Sequence, residues 1–127
     1  MLDHVGIHVH SYDRSKDFFR LALAPLGYEL ILEYSGWAGF GWADRPSLWI
    51  VGGTSMAPPV HLAFRAEDRD TVGEFHRVAL QAGGKDNGAP GLRPEYHEHY
   101  YAAYVLDPDG NNIEVVCHVP DLSEGLT

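Results

Sequence analysis

Apolar and polar residues follow one order of patterns twice along this chain. Residues 4–10 alternate between aliphatic side chains and glycine or histidine, which is typical of a strand with one buried face. Apolar residues then recur at helical spacing over 18–23, with Asp13 or Ser15 as the candidate N-cap. This helix is expected to stop near residues 25–27, where a proline and a glycine occur.

Short apolar runs separated by turn residues predict the strands that follow each helix. They cover residues 28–34, 37–42 and 48–51 in the first half and 60–66, 100–106 and 112–117 in the second half. A second helix is predicted over about 70–82, where Gly83 and Gly84 end it. Residues 85–99 are rich in Gly, Pro, His and Tyr, and they predict no regular strand.

An internal repeat explains this order. Seven of the 24 residues from 4 to 27 are identical to the residue 57 positions later, whereas chance gives roughly one or two. We interpret the repeat as a duplication. It predicts an α+β fold made of two tandem βαβββ modules that form an open, curved mixed sheet, with a helix from each module on the outer face.

The 127 residues have the length of one domain. The first module is expected at about 1–53, a Gly- and Pro-containing linker at about 54–59, and the second module at about 60–118. Residues 119–127 remain as a C-terminal tail.

Charge and composition exclude several classes of function. The chain has 9 basic and 18 acidic residues, a net charge of −9, which repels nucleic acids and anionic membrane surfaces. No stretch is apolar enough to span a membrane, and the N-terminus does not resemble a secretion signal. Cys117 is the only cysteine, so no internal disulfide can form. We therefore expect a cytoplasmic protein that binds neither nucleic acid nor membrane.

Three residues form a candidate metal site. The repeat places His4 and His61 at the same point of the first strand in each module, while alternation places Glu114 on the face opposite Ile113 and Val115. A buried carboxylate needs a cation or strong hydrogen-bond donors. Two histidines and one carboxylate leave coordination positions open for water or substrate, and they suit Zn, Ni, Fe, Mn or Co. Alternatively, the histidines are satisfied by ordinary hydrogen bonds, and the glutamate faces solvent on a one-sided sheet.

Further residues are candidates for substrate binding and proton transfer. His8 and Arg65 are equivalent in the repeat and lie on the same strand faces as His4 and His61, where Arg65 can hold an anionic group or form an internal ion pair. The segment 93–101 is expected to be a loop that borders the main cavity. It contains Arg93 as a substrate-binding candidate and the proton-transfer candidates Tyr96, His97 and Tyr100. For His97-Glu98-His99, a solvated loop is favoured over a second metal site.

Four sequence segments resemble the vicinal oxygen chelate superfamily, which contains glyoxalases, bleomycin-resistance proteins and extradiol dioxygenases. They are Leu2-Asp3-His4-Val5-Gly6-Ile7, Ala24-Pro25-Leu26-Gly27-Tyr28, His61-Leu62-Ala63-Phe64 and Asp107-Pro108-Asp109-Gly110-Asn111-Asn112-Ile113-Glu114. The resemblance implies open barrels around a divalent metal, with His4, His61 and Glu114 as its ligands. Trp49 stands where glyoxalase I-like members commonly carry a fourth ligand, so ordinary glyoxalase I chemistry is not expected.

Two functions follow from this resemblance. The first is a metal-dependent enzyme of the glyoxalase or extradiol-dioxygenase type, acting on a small oxygenated substrate that chelates the metal. The alternative is a non-catalytic protein of the bleomycin-resistance type that holds an aromatic ligand between Trp37, Trp42, Trp49 and the 93–101 segment. The resemblance favours a homodimer, and it leaves open whether the modules pair within one chain or across the dimer.

Overall fold

The computed structural model describes residues 1–121. Residues 122–127, most of the predicted tail, lie outside the described residues. The described part contains eight strands and two α-helices, with a short 3₁₀ turn at Ala24–Leu26. In chain order they are β1 (Val5–Val9), α1 (Tyr12–Ala22), β2 (Glu29–Tyr34), β3 (Trp37–Trp42), β4 (Arg45–Gly52), β5 (His61–Ala66), α2 (Arg69–Gln81), β6 (Lys85–Leu92), β7 (Tyr101–Leu106) and β8 (Asn112–Cys117).

The strands form two open four-stranded mixed sheets, which confirms the predicted α+β fold of two βαβββ modules. The first sheet has the order β1-β4-β3-β2 and the second has the order β5-β8-β7-β6. In each sheet the first and last strands of the module pair in parallel, and the other neighbours are antiparallel. Gly6 lies opposite Trp49 in the first sheet as Ala63 lies opposite Glu114 in the second, so Trp49 and Glu114 are equivalent positions.

Both helices begin at equivalent residues, although not at the predicted ones. Ser11 caps α1, with its hydroxyl accepting from the backbone N–H of Arg14, and Asp68 caps α2 by accepting from Thr71. The prediction of Asp13 or Ser15 as the first cap was wrong. Ser15 is buried inside the first turn, where its N–H already bonds the carbonyl of Ser11.

The prediction that residues 85–99 contain no regular strand was wrong for Lys85–Leu92, which forms β6. This strand is irregular, because its register with β7 shifts between Asp86 and Gly88 and again between Gly88 and Gly91. It lies at the edge of its sheet, where a proline such as Pro90 is tolerated.

The hydrophobic core lies between the helices and one face of each sheet. It is continuous through both modules, from Ile7 and Ile50 through Phe18 and Phe75 to Val115. Extensive contacts between the two modules are made through α1, α2 and the 3₁₀ turn, and the opposite sheet faces remain open. Within residues 1–121, neither helix has the length and apolar character needed to cross a membrane.

Candidate functional site

A buried carboxylate lies at the centre of the second sheet's open face. Alternation along β8 turns Ile113, Val115 and Cys117 toward the helices and Glu114 away from them. Glu114 is nevertheless only 2 % exposed, because His61 from β5 and Tyr100 from the segment before β7 lie against it. An ionised carboxylate in such a position needs charged or hydrogen-bonding partners.

Glu114 has those partners on both of its oxygens. The Nε2 atom of His61 lies 2.8 Å from Oε1, and the hydroxyl of Tyr100 donates to Oε2. The His61 side chain is 54 % exposed, so one side of this pair is accessible from solvent. A half-exposed imidazole beside a buried carboxylate gives two metal-type donors at one place.

Two tyrosines surround the same carboxylate. Tyr104 lies directly opposite Glu114 in the register of β7 and β8. Burial and the nearby Glu114 carboxylate raise the pKa values of both Tyr100 and Tyr104 above the usual tyrosine range. Tyr100 therefore stays protonated at neutral pH and serves as a hydrogen-bond donor.

The segment that carries Tyr100 is an eight-residue loop, residues 93–100, between β6 and β7. Its base is closed by a backbone hydrogen bond of 2.7 Å from Arg93 N–H to the carbonyl of Tyr100. The Arg93 guanidinium lies 5.4 Å from the ring centre of Tyr104 and bonds the Ala89 carbonyl. The loop is thus anchored beside Glu114.

A pair of imidazoles makes a second contact between this loop and the sheet. Nε2 of His97 lies 2.7 Å from Nδ1 of His118, and both rings pack edge to face against Tyr100. Burial is the main cause that lowers the pKa of His118, and the positive charge of Arg65 lowers it further, while Glu114 opposes them. Tyr96 packs on Tyr100 at 4.9 Å between ring centres.

Sequence reasoning missed two residues of this cluster, Tyr104 and His118. The signal for both was the alternation that identified Glu114. His118 is four residues beyond Glu114 on the same face, and Tyr104 shares its face of β7 with Ala102.

The open face of the first sheet is apolar and aromatic. Tyr34 and Trp49 stack with ring centres 6.3 Å apart, and the Trp49 ring lies over Gly39, where a Cβ atom would come within 2.9 Å of it. A cavity of about 480 Å³ lies on this face. Its lining residues are His4, Gly6, Leu32, Tyr34, Trp37 and Trp49.

The structure brings some predicted site residues together and leaves others apart. One cluster on the second sheet contains five of them, namely His61, Glu114, Tyr96, His97 and Tyr100. His4 and Trp49 lie on the first sheet, where Nδ1 of His4 is 2.7 Å from Asp3, and His8 lies on β1 of the same sheet. Among residues 1–121 of one chain, no three His, Cys, Asp or Glu side chains are placed to hold one metal ion.

His61 and Glu114 therefore fit a divalent metal as two of its ligands. Their donor types, their 2.8 Å separation and the exposure of the imidazole all suit this role.

Arg65 and the 93–101 segment lie beside different features of the structure. Arg65 lines a cleft of about 660 Å³ between the modules, together with Tyr28, Trp42 and Thr71. Residues 93–101 line neither this cleft nor the cavity of the same volume around Trp42 and Trp49, and their place at the border of a substrate cavity stays a prediction. The loop covers Glu114 instead.

Comparisons with known proteins agree with the fold. The family model of the Glyoxalase/Bleomycin resistance protein/Dioxygenase superfamily matches residues 1–115. A glyoxalase/bleomycin resistance protein from Albidiferax ferrireducens T118 is 25% identical, with a TM-score of 0.80 over 92% of this chain and 98% of that one. No curated protein matches the sequence.

Two more distant solved structures share the fold alone. The lactoylglutathione lyase from Agrobacterium tumefaciens is 19% identical, with a TM-score of 0.68 over 92% of each chain. The fosfomycin resistance protein FosX from Mesorhizobium loti is 19% identical, with a TM-score of 0.69 over 100% of this chain and 98% of that one.

Proposed function

Since the chain belongs to the Glyoxalase/Bleomycin resistance protein/Dioxygenase superfamily, we propose that it is a metal-dependent enzyme acting on a small oxygenated, metal-chelating substrate. The observation that carries the proposal is the buried Glu114 carboxylate, held by His61 on one oxygen and by Tyr100 on the other. Superfamily members with solved structures include a lactoylglutathione lyase and a fosfomycin resistance protein, so both lyase and resistance chemistry are in reach of this fold.

In this proposal His61 and Glu114 hold the metal from one chain, and His4 of a second copy completes the ligand set. His4 and His61 occupy equivalent positions in the two modules: His61 begins β5, and His4 directly precedes β1 and lines the cavity on the open face of the first sheet. The two sheets of one chain contact each other mainly through their helices, which favours pairing of open faces between two copies. The proposed state is therefore a homodimer, and the proposed location is the cytoplasm.

The metal would supply Lewis-acid stabilisation of an oxyanion that forms on the substrate. The chain's own residues supply the rest. The Tyr100 hydroxyl keeps its proton and fixes one oxygen of Glu114, so the carboxylate has one orientation. Tyr96 and His97 extend from the same loop and are the candidates for moving a proton at the substrate.

Metal content tests the first part of this proposal. Elemental analysis of the purified protein should find Zn, Ni, Fe, Mn or Co, and Glu114→Gln should reduce that content at least about tenfold, since even outer-shell changes at metal sites cost that much. Glutamine keeps the shape of the side chain and removes its charge. Glu29→Gln, at an exposed position on β2, is the matched control and should retain the metal. Full metal content in Glu114→Gln would refute the proposal.

A mixed dimer tests whether two copies build the site. We expect no metal in His4→Ala or Glu114→Gln homodimers. A heterodimer of these two variants, purified through two different tags, should recover about half the wild-type content, because one of its two sites has every ligand intact. If each ligand set lay within one chain, the heterodimer would contain no complete site and would stay metal-free.

The second candidate function, capture of an aromatic ligand without catalysis, is favoured by the first sheet. Its cavity of about 480 Å³ is lined mainly by apolar and aromatic side chains. The test is binding of 8-anilinonaphthalene-1-sulfonate to metal-free protein, followed by fluorescence. Trp49→Ala should abolish binding and Trp42→Ala, which lies outside that cavity, should not. Absence of binding by the wild-type protein would exclude this candidate.

A further inference from the structure

Loop 93–100 reaches the open face of the second sheet through two side-chain hydrogen bonds, made by loop residues three positions apart. Tyr100 bonds Glu114, and His97 bonds His118 just beyond the end of β8. The second bond has a partner, His118, that the proposed chemistry does not use.

The direction of the hydrogen bond between the two imidazoles is fixed by the backbone. The N–H of His99 donates to Nδ1 of His97 at 3.0 Å, so this nitrogen carries no hydrogen. A neutral His97 must then hold its hydrogen on Nε2, where it donates to Nδ1 of His118 at 2.7 Å. Nδ1 of His118 is an acceptor, which places the hydrogen of a neutral His118 on its Nε2 atom.

We infer that His118 is a positioning residue: by accepting from His97 in its neutral form, it holds loop 93–100 in place and keeps the Tyr100 hydroxyl on Glu114. Protonation of either imidazole places two hydrogens in one short contact. A proton on His118 Nδ1 opposes His97 Nε2–H, and a proton on His97 Nδ1 opposes His99 N–H. The clamp is closed only when both rings are neutral.

The surroundings of His118 favour the neutral form. The groups that face it are His97 and Tyr100 from the loop, Arg65 from β5 and Glu114 from β8. Burial and the positive charge of Arg65 outweigh Glu114, so the pKa of His118 is below its usual value. The stabilisation is therefore present above the usual histidine value of about 6.5 and is lost as the pH falls through the pKa of the folded state.

This inference rests on the proposed function only in giving Tyr100 a role at the metal site. The experiment measures the loop itself, through hydrogen exchange of the Arg93, His99 and Tyr100 amides, whose N–H groups bond within the loop. His118→Phe keeps a ring but has no acceptor, and it should speed their exchange about fivefold, the effect of losing one net hydrogen bond. His118→Asn retains an acceptor oxygen near the position of Nδ1 and should stay within about twofold of wild type. His10→Phe is the control, because His10 is exposed and directly follows β1.

The pH profile separates a clamp from a merely structural side chain. After correction for intrinsic exchange, opening of the loop should increase between pH 7.5 and 5 in the wild type and should increase less in His118→Asn, where His97 is the one ring of the pair that remains. Imidazole ¹⁵N spectra should identify His97 as the Nε2–H tautomer. Unchanged exchange in His118→Phe, an Nδ1–H tautomer, or an equal pH response in His118→Asn would each overturn the inference.

Metal content distinguishes this failure from failure of the proposed function. His118→Phe should retain the wild-type metal content, since His118 is not one of the proposed ligands. A wild-type protein that binds no metal but shows the expected exchange pattern would refute the metal enzyme and leave the clamp intact.

Discussion

Trp49 on the first sheet and Glu114 on the second occupy the same position of the repeated module, opposite the equivalent residues Gly6 and Ala63 of the first strands. On the neighbouring strand, the position beside Trp49 is Gly39 and the position beside Glu114 is Tyr104. In the first module a large ring lies over a glycine, and in the second a carboxylate lies beside a phenol. The same backbone arrangement thus carries apolar, aromatic side chains on the open face of the first sheet and titratable side chains on the open face of the second sheet.

The β2–β3 hairpin of the first sheet and the β6–β7 hairpin of the second sheet also differ. In the first sheet Tyr34 pairs with Trp37 across the two residues Ser35 and Gly36. In the second sheet Leu92 pairs with Tyr101 across the eight residues 93–100. The longer connection is the part of the second module that covers its carboxylate.

On the helix-facing side, part of the core is the same in both modules. Phe18 and Phe75 are equivalent in the repeat, and both are fully buried in one core. Close packing restricts the residues that a core accepts, whereas a side chain on an open face has fewer neighbours to satisfy. The comparison indicates that core packing preserved the duplicated backbone arrangement, whereas the side chains on the two open sheet faces came to differ in their chemistry.

The largest effect is expected where the first sheet has a glycine and the second a leucine. Gly41 and Leu106 each follow the last regularly paired core position of their strand, but a bulge shifts the register at Gly41, and a Cβ atom there would lie 1.9 Å from the carbonyl oxygen of Arg45. Gly41→Ala should lower the free energy of unfolding by about 3 kcal/mol or more. Leu106→Ala, at a half-buried site, should lower it by about 1 kcal/mol. Urea unfolding followed by circular dichroism measures both, and equal losses would contradict the difference between the sheets.

A smaller effect is expected from two tyrosines that each bond a glutamate. Tyr100 donates to buried Glu114, whereas Tyr12 donates to exposed Glu33 at 2.7 Å. Tyr100→Phe leaves a buried carboxylate oxygen without its donor and should cost about 1–3 kcal/mol of unfolding free energy. Tyr12→Phe leaves an oxygen that water and Lys16 can satisfy, so its cost should stay below about 1 kcal/mol. A larger loss in Tyr12→Phe would reverse the comparison.

Replacing residues 93–100 with Ser-Gly gives the second hairpin the connection of the first. The shorter loop should stabilise the protein by about 1 kcal/mol, because closing it costs less entropy. The replacement also removes the hydrogen bonds of Tyr100 and His97. We expect a folded protein within about 2 kcal/mol of wild-type stability by urea unfolding. Amide protection along β8 should fall while that along β4 is unchanged. A protein that fails to fold would mean that the loop is part of the framework.

The smallest effect appears only in alkali. Burial and Glu33 raise the pKa of Tyr12 to about 12, and Tyr100 is shifted further in the same direction. Their stabilisation is present below the usual tyrosine value near 10 and is lost as the pH rises through the shifted values. Absorbance at 295 nm should show late-titrating tyrosines, and Tyr12→Phe should remove the component near pH 12. Titration of all seven tyrosines near pH 10 would refute this.

Local patterns in the sequence predicted much of the framework. β3 and β8 begin and end at the predicted residues, because alternation and turn residues bound them clearly. β6 could not be predicted, since its glycines and Pro90 are unfavourable for a regular strand and are accommodated by bulges at the sheet edge. Its pairing with β7 is a tertiary effect that no local pattern contains.

The candidate site was predictable only as far as one module extends. The repeat identified His61 and alternation identified Glu114, and the structure brings these two residues of adjacent strands to 2.8 Å. The repeat also made His4 equivalent to His61, but equivalence does not specify how the modules are arranged. His118 lies beyond the end of β8, and its contact with His97 depends on the path of a loop that local sequence does not fix.

The single thiol offers a way to time the opening of this fold without adding a label. Cys117 ends β8 with no exposed surface and faces the shared core. An alkylating reagent can reach its sulfur only when the strand separates from the helices, so the rate of modification reports how often that separation occurs. Because the sequence holds no other cysteine, the rate at which the mass of one alkyl group is added measures the opening of the second module alone.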